Sequence, residues 1–84
     1  MITEDKIRIY KKYSGDIDGW VRVHDKEEMR IMSDQDWYDI NLLLQEIAGI
    51  KNGIASEAYA KRIEKDLTDK VNDEKIIKML FEIA

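Results

Sequence analysis

From Ser33 to Gly53 the chain repeats apolar side chains at helical spacing, and this run limits the fold more than any other feature. Trp37, Ile40, Leu44, Ile47 and Ala48 trace one face, while Leu43, Ile47, Ile50 and Ile54 widen it. Ser33 is a good N-cap, Asp34 and Asp36 suit the first turn, and Gly53 is a natural terminator. The pattern predicts a helix over 34–51, with an apolar arc wide enough to need neighbours on more than one side. Trp37 and Tyr38 lie about 100° apart on such a helix, so both are buried only if it is covered twice.

Two further helices follow. Ser56 caps one that begins at Glu57 and carries Tyr59, Ile63 and Leu67 at intervals of four. Asn72 or Asp73 caps the last, whose buried face holds Ile76 and Leu80, with Ile77, Phe81 and Ile83 beside them. The short connections predict antiparallel neighbours. The expected core is therefore Trp37, Ile40, Leu44, Ile47, Tyr59, Ile63, Leu67, Ile76 and Leu80.

The first third of the chain is less clearly patterned. Thr3 is an N-cap with Glu4 and Asp5 behind it, and Ile7, Ile9, Tyr10 and Tyr13 recur at helical intervals up to Ser14-Gly15. This favours a helix over 4–13. The alternation in "KIRI" and "WVRV" around "SGDIDG" offers a competing hairpin over 6–24. A short helix after Asp25, with Glu28 at the capping-box position, completes the series. We therefore expect an all-α fold, a small antiparallel bundle of four to five helices in one domain, 1–84. The alternative is an α+β fold with the N-terminal hairpin.

Composition excludes several kinds of chemistry. The 84 residues contain no cysteine and no proline. Disulfides, thiolate metal sites and cysteine nucleophiles are ruled out, and missing staples in a small domain point to the cytoplasm. "MITEDKIRIY" puts charge where a signal peptide needs an apolar core, and no run approaches a membrane span of about 20 apolar residues. The net charge is −4, and residues 16–39 carry eight acids against three bases. That balance repels a phosphate backbone, so nucleic acid is not an expected partner. Histidine occurs once, at His24, without a triad or zinc spacing. No glycine-rich phosphate loop is present, and nothing marks any two acids as a desolvated catalytic pair. No enzymatic activity is expected.

Residues 14–25, "SGDIDGWVRVHD", carry the one local motif. They resemble an EF-hand calcium loop. Ser14, Asp16 and Asp18 fall on the first three ligand positions, Gly19 on the turn glycine, Trp20 on the carbonyl position and Asp25 on the last. Serine at the first position, Arg22 at the ninth and the shorter aspartate at the last depart from the pattern. The simpler reading is an Asx turn and an Asp-Gly turn before a helix. No cofactor is expected, with calcium at this loop as the alternative.

The same segment supports a reading as a docking surface. Trp20 and Tyr13 would anchor a contact, with Asp16, Asp18 and Asp25 around them steering a basic partner. A small acidic interaction module fits the acidic block over 14–39 best, of the regulator or inhibitor kind found in bacteria and prophages. A structural homo-oligomer is the further alternative, because "IIKMLFEIA" is apolar enough for a dimer to seal it.

Overall fold

In the computed structural model, residues 1–13, 26–54, 56–71 and 73–84 are described, with Met29 described in its backbone only. They form five helices: α1 (Glu4–Tyr13), α2 (Lys26–Ile31), α3 (Asp34–Lys51), α4 (Glu57–Lys70) and α5 (Glu74–Ile83). The fold is a small all-α bundle.

Local signals set the helix boundaries. Ser33 and Asp36 form a reciprocal capping box: the Asp36 N–H donates to Ser33 Oγ at 3.1 Å, and the Ser33 N–H donates to Asp36 Oδ2 at 2.9 Å. At the other end of α3 the Gly53 N–H donates to the Ile50 carbonyl and the Ile54 N–H to that of Gly49. This is a Schellman closure, and it requires the left-handed φ of +68° that Gly53 supplies. Ser56 Oγ accepts from the Tyr59 N–H, and Asp73 Oδ1 from the Lys75 N–H. Of the two residues considered for that last cap, Asp73 performs it, and Asn72 lies outside the described residues.

α1, α4 and α5 all pack on α3. Asp39 meets Lys70 at 3.5 Å, and Glu46 faces Arg62 and Asp66, so α4 runs antiparallel to α3. Lys6 fastens the start of α1 to the start of α3 through Asp36 at 3.0 Å, and Lys75 of α5 reaches Glu4. Lys51, at the end of α3, donates to the carbonyls of Phe81 and Ala84. α5 therefore returns alongside α3 in the same sense. Within this frame Trp37, Ile40, Leu43, Ile47, Ile63, Leu67, Val71, Ile76 and Leu80 are buried together with Ile2, Ile7, Ile9 and Met32.

Three expectations are corrected. Residues 6–13 are helical, so no hairpin forms over 6–24. Ile2 and Ile7 stand at the two positions of a hydrophobic staple around Thr3, and both are buried, which fixes the chain into a helix start. Tyr59 is 43% exposed rather than core. A four-residue step drifts about 40° around a helix, and burial on α4 follows Ile63 and Leu67 into Val71, leaving Tyr59 at the edge. Leu44 is half-buried, because the line from Ile40 to Ile47 passes through Leu43 instead.

Leu43 sits under all of this with no exposed surface. Leu43→Ala is expected to cost about 2–5 kcal/mol, read as a lower urea midpoint, whereas Tyr59→Ala should stay within about 1 kcal/mol.

Candidate functional site

The residues singled out for partner or metal binding fall unevenly on the structure. Ser14, Asp16, Asp18, Trp20 and Asp25 lie outside the described residues. Tyr13, at the end of α1, is half-buried and edge-on to Trp37, with ring centroids 6.4 Å apart. Tyr10 packs on the same indole at 5.4 Å, and its hydroxyl donates to Asn41 Oδ1. The Lys12 ammonium lies 5.4 Å from the centre of the Tyr13 ring. Tyr10, Tyr13 and Trp37 thus form an aromatic cluster that joins α1 to the first half of α3.

The acids over 26–39 are largely engaged within the chain. Glu27 pairs with Arg30 at 3.0 Å, Glu28 with Lys12 at 2.6 Å, Asp36 with Lys6 and Asp39 with Lys70. Burial works against charge on Asp36. The Ser33 N–H, the Lys6 ammonium and the Ser33 hydroxyl outweigh it and hold the carboxyl below its usual range. Glu28 draws the Lys12 ammonium's pKa upward through a hydrogen bond and its charge. Asp34 makes no ion pair among the described residues.

Asp34 also borders the surface feature that the sequence reading missed. Tyr38 is 61% exposed, and with Asp34, Trp37 and Asn41 it lines a shallow concavity of about 320 Å³. The signal was available, since Tyr38 lies about 100° from Trp37 and off the face traced by Ile40 and Ile47. Among the described residues larger depressions also occur. One, between α1 and α2, has Ile9 and Ile31 on its floor and charged side chains around it. Another, about 670 Å³, lies between α4 and α5 over Ile50, Leu67, Ile77 and Phe81.

Elsewhere, Glu46 is the buried acid among the described residues, 7% exposed, and its Oε2 has no hydrogen-bond partner. Burial first, and then the nearby Asp66 carboxylate, push its pKa up against the opposing pull of Lys70 and Arg62. Among the described residues no cluster of three or more histidine, aspartate or glutamate side chains is placed to hold a metal ion. Among them, too, no helix is long and apolar enough to cross a membrane. No protein-family model, curated protein or solved structure matches the chain.

The lowered Asp36 pKa gives a pH dependence with a definite sign. Its contribution is complete above the ordinary aspartate value of 3.8 and is lost as the pH falls below that through the lowered folded value. Asp36→Asn is expected to lower stability by about 1 kcal/mol near neutral pH, and the gap to wild type should close in strong acid. Urea melts along a pH series check it; a gap that stays constant into strong acid contradicts the assignment.

Proposed function

We propose that this chain is a small non-enzymatic interaction module that binds a basic protein surface through residues 14–39. The observation that carries this reading is Tyr38, a mostly exposed aromatic side chain next to Asp34 on the first turns of α3. A tyrosine held on a rigid helix supplies contact area at little entropic cost, and interfaces concentrate their energy on such residues. An adjacent carboxylate not neutralised by an ion pair within the described chain is free to attract a cation from a partner. Because Glu27, Glu28, Asp36 and Asp39 already have internal cations, Asp34 is the acid on the described part of the segment best suited to recognition. The sequence adds Asp16, Asp18, Trp20 and Asp25 to the proposed binding segment.

Affinity capture from extract of the native cell, at low and moderate salt, tests this reading. A partner retained by wild type should be released by salt, and Tyr38→Ala should weaken it about tenfold or more with the helical content unchanged. Asp34→Lys should weaken it further by repelling a basic surface. Retention of an identical set of proteins by all three forms removes the reading.

A second reading has its own support. The groove between α4 and α5 has an apolar floor, and Ile54, in the turn before α4, is 80% exposed. A homo-oligomer that covers these side chains would gain stability from their burial. Sedimentation over a range of concentrations decides it: a rise in mass with concentration that Phe81→Ser abolishes supports it, and a monomer at high micromolar concentration dismisses it.

A further inference from the structure

We propose that Glu46 keeps its proton inside the α3–α4 seam, and that this proton makes α4 pack more tightly on α3 in mildly acidic solution than at neutral pH. Glu46 projects from the middle of α3 into the interface rather than into water, and it retains 7% of its accessible surface. Its Oε2 is fully enclosed and accepts no hydrogen bond from the protein. A charged carboxylate in that position loses hydration without replacement, whereas a neutral carboxyl loses far less.

The charged groups acting on Glu46 come from α4: Asp66, Lys70 and Arg62. Asp66 is the carboxylate among them, and two carboxylates facing each other across a buried seam repel unless one carries a proton. Arg62 and Lys70 stand four residues to either side of Asp66 on α4, so its negative charge is balanced within that helix. Lys70 is also held by Asp39 at 3.5 Å, two turns before Glu46, which draws its charge away from the buried carboxyl. On the other sides of α3, α1 brings Lys6 to Asp36 and α5 receives Lys51 on its last carbonyls; neither lysine is among the groups acting on Glu46. The proton therefore resides on Glu46.

The sign follows from linkage. A carboxyl that keeps its proton more firmly when folded binds more protons in the native state than in the unfolded one. Its stabilisation is complete below the unfolded value and is lost as the pH rises through the raised folded one. This runs opposite to Asp36, whose stabilisation is lost on the acid side. The two together place the stability maximum between their windows.

Thermal melts of the full chain at about pH 5 and about pH 7.5 test the proposal. General repulsion in an acidic protein also lowers Tm as the pH rises. Glu64→Gln, an equal charge change at an exposed site of α4, controls for that. Wild type and Glu64→Gln should lose Tm alike between the two pH values, and Glu46→Gln should lose about 4 °C less. Carbon NMR of the Glu46 carboxyl supplies a second readout, expected to titrate above free glutamate and to move down towards it in Asp66→Asn. Equal losses of Tm in all three proteins, or a Glu46 carboxyl that titrates as a free glutamate does, overturns the proposal. Should Glu46→Gln not fold, the wild-type and Asp66→Asn titrations decide it.

Discussion

Ile40, Leu43 and Ile47 have no accessible surface at all, on three successive turns of α3, and helices on more than one side are needed to enclose them. A chain of 84 residues has few elements with which to build a core. Here one helix is enclosed by three others, and the remaining buried side chains take positions defined by that enclosure. Ile7 and Ile9 bring in α1, Ile63, Leu67 and Val71 bring in α4, and Ile76 and Leu80 bring in α5. The N-terminal strand of chain is held by the same logic. The buried Ile2 donates its N–H to the carbonyl of Lys70 at the end of α4, which closes the ring of helices around α3.

Charge is arranged to serve this packing before it serves any partner. Lys6 is mostly covered, and so is Asp36, and together they join α1 to the cap of α3. Lys70 does the equivalent for α4 through Asp39. Exposed pairs such as Glu27–Arg30 contribute little to stability, but they lower the charge that residues 26–39 present to the surroundings. The acidic block read from composition is therefore weaker as a field than its count of acids implies. The proposed recognition accordingly rests on particular side chains, Tyr38 and Asp34 above all, rather than on bulk charge.

Where the sequence was legible, the signal was local and redundant. The span 34–51 is marked at both ends and along its length, by Ser33 with Asp36, by Gly53, and by the apolar spacing between them. The spans at Glu57 and Asp73 are marked by caps that make the hydrogen bonds their chemistry allows. What was not legible depended on phase around a helix or on distant contacts. Tyr59 sits on the same four-residue series as Ile63 and Leu67, and only the drift of that series decides which end is covered. Ile2 and Val71 are single apolar residues next to caps, and their burial depends on each other's elements. For the site less was legible: Tyr13 packs edge-on to Trp37, Tyr38 stands exposed beside it, and the metal-like pattern over 14–25 lies outside the described residues.

Glu46 joins these two themes. It lies three residues after Leu43 and four before Ile50, which puts an acid inside the widest part of the apolar arc of α3. A leucine there would pack without any charge to neutralise, so the acid reduces stability at neutral pH relative to an apolar side chain of similar volume. It also makes the seam discriminating. An apolar seam accepts any apolar neighbour and slides easily between registers, whereas a buried carboxyl admits only neighbours that satisfy it or leave it neutral. A shift of α4 by one turn along α3 would carry Arg62 or Lys70 towards Glu46 but break the Asp39–Lys70 pair. The half-buried Asp39–Lys70 pair, two turns from the buried acid, fixes this register through opposite charge. The register matters beyond the seam, because it sets where α5 returns to meet Lys51 and hence the mouth of the groove over Phe81.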